Sequence, residues 1–276
     1  MFKRFVCFLL CLMLVLTCGG CGKQAALAPA TVPTQPASET TAPPETAAPT
    51  TIPETELPTE APTTAPTEPE VILHSGLWED GTFDEHTLFV GDSLTFLMIT
   101  DYLKKFDCIG DAKYAVKAGV QLEAFFNKRY PMTYDPELNC LYVPEFKGLT
   151  MAEAAASMGE DLHAVYIMLG TNYSPNATAD SYIEICDFIL ENCPNATIHL
   201  QLIPYSPIVK YQTVNGRIQG AYEHYQQMGE QRVMLIDTNT AIGNHLIPDK
   251  VHLDDVGREN WYLALLAHAR ENDLER

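Results

Sequence analysis

From about residue 84 onward, the chain alternates short apolar runs with stretches whose apolar residues recur every three or four positions. The apolar runs are Thr87 to Val90, Tyr114 to Lys117, Ala164 to Leu169, Thr197 to Ile203 and Val233 to Asp237. Their length and their β-branched and aromatic content predict strands. Between them, helical spacing covers residues near Thr95 to Lys105, Thr150 to Gly159, Ala179 to Asn192, Asn215 to Met228 and Asp255 to Glu271. Thr150 with Glu153 reads as a capping box, and Asp254 or Asp255 caps the last helix. Strand-helix alternation implies a parallel sheet covered on both faces. The expectation is therefore a three-layer α/β/α sandwich around a five-stranded, mainly parallel sheet, with its site at the carboxyl ends of the strands.

The first seventy residues follow a different pattern. Lys3 and Arg4 precede an apolar run from Phe5 to about Leu16, too short to span a bilayer, as in a secretory signal. The segment Thr17-Cys18-Gly19-Gly20-Cys21 resembles a bacterial lipobox, with Cys18 standing where a leucine is usual. The resemblance implies lipidation at Cys21 and a signal peptide over residues 1–21; plain signal cleavage is the alternative. Residues 24 to 70 hold 11 Pro, 12 Thr and 7 Glu, with no Lys or Arg. Such a segment has little to bury and repels itself, so residues 22–70 are expected to form a disordered tether. The globular domain then runs over residues 71–276. The expected location is the outer face of a bacterial membrane, through the lipid anchor alone, or the medium.

Charge and cysteine content narrow the partners. Residues 71 to 276 contain 29 acidic and 14 basic side chains, a net of −15 with histidines neutral. Nucleic acid is excluded, because phosphate binding needs a basic surface. Cys108, Cys140, Cys186 and Cys193 show no C-x-x-C spacing, which argues against a zinc site. Cys186 and Cys193 could form a bridge, although two buried thiols fit the helical pattern better.

Two short stretches carry candidate chemistry: Val90-Gly91-Asp92-Ser93-Leu94 after the first strand, and Asp249-Lys250-Val251-His252 before the last helix. A serine hydroxyl becomes nucleophilic when a base takes its proton, and the base works best when a carboxylate fixes its tautomer. Alone, Ser93 would read as a helix N-cap, His252 as a surface histidine and Asp249 as a turn residue after Pro248. Asp92 reads at least as an organiser of the turn. Ala118-Gly119 follows the second predicted strand, and Leu169-Gly170-Thr171-Asn172 closes the third.

In this order, the four blocks resemble the SGNH/GDSL hydrolase family over about residues 84 to 272. The resemblance implies a flavodoxin-like fold and a Ser93, His252, Asp249 triad. It also implies an oxyanion hole of Ser93 N–H, Gly119 N–H and the Asn172 amide, with neither metal nor organic cofactor. Many members have Asp after this asparagine; Tyr173 stands here instead, a change that bears on the pocket wall. The expected activity is an extracellular serine esterase that removes short acyl groups, acetyl foremost, from glycan or small-molecule esters. The rivals are a lysophospholipase-type lipid acylhydrolase and a non-catalytic carbohydrate-binding lipoprotein. Residues 128 to 149 lack periodicity and carry Tyr130, Tyr134, Tyr142 and Phe146. They could face substrate or pack as a surface insertion.

Overall fold

The computed structural model describes residues 71–133, 140–272 and 274. The predicted signal peptide with Cys21, the tether, and Tyr134 lie outside the described residues. Six strands form one sheet: β1 (Thr87–Gly91), β2 (Lys113–Lys117), β3 (Cys140–Tyr142), β4 (Ala164–Met168), β5 (Thr197–Gln201) and β6 (Val233–Ile236). Their spatial order is β3-β2-β1-β4-β5-β6. All pairs are parallel except β2 with β3, which is antiparallel. The sheet is flanked by helices α1 (Ser93–Met98), α2 (Met151–Met158), α3 (Ala179–Asn192), α4 (Tyr211–Met228), α5 (Thr238–Ile242) and α6 (Asp255–Glu271).

The expected five strands become six. The addition, β3, lies inside the irregular segment and pairs Lys117 with Cys140 and Ala115 with Tyr142. Three residues at a half-buried sheet edge leave no period-two pattern to read. Around β3, Met132 and Phe146 are fully buried in the common core, so these parts of the segment are packed down. β1, β4 and β5 are buried at every position, as a sheet covered on both faces requires.

Two helix starts also differ from expectation. The first helix begins at Ser93, and its continuation over Ile99–Leu103 widens into a π turn. The fourth begins at Tyr211, a turn before Asn215. Asn215 does not cap; its side chain accepts from Ile203 N–H at 2.8 Å and donates to Ile203 C=O at 2.9 Å. The Thr150–Glu153 capping box and the Asp254 cap form where the sequence puts them.

Phe89, Tyr166 and His199 stand opposite one another across β1, β4 and β5, with rings stacked at 5.3 and 4.5 Å. His199 Nε2 lies 2.8 Å from His74 C=O, and its Nδ1 lies 3.3 Å from His268 Nε2. Burial pushes both imidazoles down, His199 to about 3 and His268 to about 4, so both are neutral at physiological pH. Asn272 donates its amide to His268 Nδ1 at 3.3 Å. The donors therefore run one way, from Asn272 through His268 and His199 to His74, and tie the segment before β1 to α6.

The chain leaves β1 toward β2 on one side and later returns as β4 on the other. Such a switch point opens a crevice at the carboxyl ends of the strands. Ser93, Gly119 and Asn172 all follow strands at this edge.

Candidate active site

β1 ends in Gly91, where a Cβ would collide with the Thr95 side chain and crowd Met168 C=O at 2.9 Å. Only glycine lets α1 start this close to β4. Asp92 then caps α1 from an extended backbone, its Oδ1 accepting from Leu94 N–H at 3.1 Å. Its Oδ2 accepts from Thr171 N–H, also at 3.1 Å, so one fully buried carboxyl joins the turn after β1 to the loop after β4. Burial pushes this carboxyl up to about 6, against the opposing pull of the Leu94 and Thr171 hydrogen bonds and nearby His252. Sequence reasoning gave Asp92 only the turn; its partner 79 residues away leaves no local trace.

Ser93 opens α1 and is half-buried. His252 Nε2 lies 3.0 Å from Ser93 Oγ, and His252 Nδ1 lies 2.6 Å from Asp249 Oδ2. Burial alone would raise the Asp249 carboxyl, but hydrogen bonds from the His252 ring and from Val251 and His252 N–H hold it below its ordinary value. With Asp249 ionised, Nδ1 carries the imidazole proton, and Nε2 is the acceptor facing the serine hydroxyl.

The loop holding this pair is built from backbone bonds. Asp249 Oδ1 accepts from Val251 and His252 N–H at 2.9 and 3.0 Å. Ile247 N–H donates to His252 C=O at 2.8 Å, and Lys250 N–H to Ile247 C=O at 2.9 Å. Lys250 has φ 63°, a left-handed conformation uncommon for a residue with a side chain. Ser206, in the loop between β5 and α4, donates its hydroxyl to Lys250 C=O at 2.7 Å and braces that turn.

Gly119 follows β2 with φ 74°, which favours glycine, and no protein atom lies within 4 Å of where its Cβ would stand. Asn172 follows β4 in a loop held at three further points. Gln121 donates to Tyr173 C=O at 3.1 Å, Arg217 donates to Ser174 C=O at 2.9 Å, and the Ser174 hydroxyl bonds Glu123. Yet Asn172 Nδ2 is buried and has no partner among the described residues. A buried donor left unmade costs free energy, so its retention marks a group held for something else. Of the other histidines, His86 and His163 precede β1 and β4 at the amino edge, and stack at 4.4 Å away from this crevice. Among the described residues no cluster of three or more His, Cys, Asp or Glu could hold a metal ion.

No protein-family model matches the chain, and no curated protein matches it in sequence. Several solved structures are similar. A family 3 carbohydrate esterase from Talaromyces cellulolyticus is 18% identical, with 68% of this chain and 99% of that chain covered at a TM-score of 0.40. An acetyl esterase with an acetate ion is 17% identical, covering 67% and 96% at 0.40. The C-terminal catalytic domain of Streptococcus pneumoniae peptidoglycan O-acetyltransferase A is 14% identical, covering 68% and 93% at 0.42. The mostly parallel, helix-flanked sheet makes this an α/β fold, with the Ser93, Gly119 and Asn172 blocks at one carboxyl edge, the placement that the SGNH/GDSL resemblance implies.

Proposed function

We propose that this chain is a serine ester hydrolase that removes short acyl groups, acetyl foremost, from carbohydrate esters outside the cell. The observation that carries the reading is the unbroken line from Asp249 through His252 to Ser93, at 2.6 and 3.0 Å. Both distances suit proton transfer without rearrangement.

In this mechanism His252 Nε2 takes the proton of Ser93, whose Oγ attacks the ester carbonyl carbon. Asp249 stays ionised and stabilises the imidazolium. The oxyanion is held by Ser93 N–H, Gly119 N–H and the Asn172 amide, each neutral and fixed in place beforehand. The alcohol departs with the proton from His252. Water, activated by the same imidazole, then releases the acid and restores the serine. The lipid anchor at Cys21 and the tether over residues 22–70 would hold the domain at the outer membrane face.

The test is turnover of p-nitrophenyl acetate, butyrate and octanoate by the wild type and by Ser93→Ala. Rates highest at acetyl, and abolished by Ser93→Ala with unfolding unchanged to within about 1 kcal/mol, are the expected result. Octanoate as the best substrate would replace the glycan reading with lipid acyl hydrolysis. Turnover by Ser93→Ala near the wild-type rate would end the nucleophile assignment.

A further inference from the structure

We infer that the glycan substrate is acidic and that its carboxylate is received by Lys210 and Arg217 at the Tyr173 side of the oxyanion loop. This rests on the esterase reading above and adds to it the charge of the substrate. Tyr173 directly follows Asn172, at the position where many members of the resembling family carry an acidic residue. Two cations converge on its ring: Lys210 Nζ lies 4.6 Å from the ring centre and the Arg217 guanidinium carbon 5.1 Å.

The two cations have different surroundings. Arg217, half-buried on α4, donates to Ser174 C=O at 2.9 Å and to the Tyr173 hydroxyl at 3.4 Å, so part of its fork holds the loop. Lys210 is exposed at the start of α4, and its ammonium lies over the ring. Neither makes an ion pair among the described residues, so no carboxylate of the protein competes there for a bound anion. Two acidic groups bond this loop, Glu123 through the Ser174 hydroxyl and Asp92 through Thr171 N–H.

The placement is tied to the catalytic loop. Ser206 Oγ donates to Lys250 C=O and accepts from Val209 N–H at 3.1 Å, one residue before Lys210. One hydroxyl thus joins the Lys250 turn to the backbone just before Lys210. On a domain with a net charge of −15, the general field opposes an anionic substrate, so local cations beside the crevice are needed to admit one. A substrate carboxylate reaching this side of the loop would complete the coordination of Lys210 and use the remaining N–H groups of Arg217.

The experiment compares O-acetylated polygalacturonate with its carboxyl-reduced, acetylated counterpart, using wild type, Lys210→Gln and Lys210→Arg. Wild type should favour the acidic polymer in kcat/KM, and added salt should erode that preference. Lys210→Gln should reduce the acidic-to-reduced ratio about two- to fivefold, the order of one ion pair at an exposed site, while Lys210→Arg should retain it. Equal wild-type rates on both polymers, or a ratio untouched by Lys210→Gln, would overturn the inference while leaving the esterase reading standing. Turnover of neither polymer and of no p-nitrophenyl ester would overturn both.

Discussion

Replacing Asn172 by alanine separates a catalytic amide from a structural one. Its Nδ2 is buried without a partner among the described residues, and an unsatisfied buried donor of this kind costs about 1–3 kcal/mol. The loop around it is held by other groups, through Thr171 N–H on Asp92, Tyr173 C=O on Gln121 and Ser174 C=O on Arg217. Truncation should therefore leave the unfolding free energy unchanged or raise it by up to about 1 kcal/mol. Activity should move the other way. Losing one oxyanion donor removes about 3 kcal/mol of transition-state stabilisation, a fall in kcat of roughly 10²- to 10³-fold. KM should change little, because the oxyanion forms only on the way to the transition state. Urea melts and p-nitrophenyl acetate kinetics on the same preparation measure both quantities. Asn172→Asp, of similar shape but unable to donate when ionised, should lose at least as much activity. A kcat within about fivefold of wild type, or activity lost in proportion to stability, would show that the amide serves the loop and not the reaction.

Asp92→Asn should lower kcat, since an amide cannot accept from both Leu94 and Thr171 N–H. Because burial raises the Asp92 carboxyl from 3.8 to about 6, the folded protein binds that proton more tightly than the unfolded chain, and wild type loses stability as pH climbs through this window. The variant's stability relative to wild type should thus rise by about 2 kcal/mol between pH 4 and 6 in urea melts, and a flat difference would disprove the buried charge. His199 and His268 act with the opposite sign: held neutral when folded, they contribute stability that is complete above about pH 6.5 and lost as pH falls toward 4 and 3. His268→Gln should flatten that loss between pH 7.5 and 5, and an unchanged slope would remove His268 from the account. Full-length protein should fractionate with membranes and become soluble on Cys21→Ala; solubility in both forms would indicate plain signal cleavage.

The strands β1, β4 and β5 were legible because a sheet buried on both faces writes continuous apolar runs into the chain. The Thr150–Glu153 box and the Asp254 cap were legible because capping is local. β3 was hidden by its three-residue length, and α4 starts at Tyr211 with no side-chain cap to mark it, while Asn215 turns its amide toward Ile203. In the candidate site, Ser93, Asp249 and His252 were readable from short blocks, and they meet at hydrogen-bond distance. The groups that hold those blocks were not readable. Asp92 reaches Thr171, Ser206 reaches Lys250, and Arg217 reaches Ser174 across 79, 44 and 43 positions, and nothing in the immediate neighbourhood of either partner announces the other.

Ser93 follows the first strand of the sheet, and His252 stands just before the last helix, 159 positions later. Between them the chain lays down every other strand, with β4 against β1 and β5 and β6 beyond it. A chain still emerging from synthesis or from an export channel would carry the hydroxyl long before its base arrived. Ester cleavage would then report completed folding, and a cut anywhere between the two blocks would silence the reaction unless the halves stayed associated. The arrangement makes catalytic competence a late event in the life of the molecule, postponed until the C-terminal helix has docked.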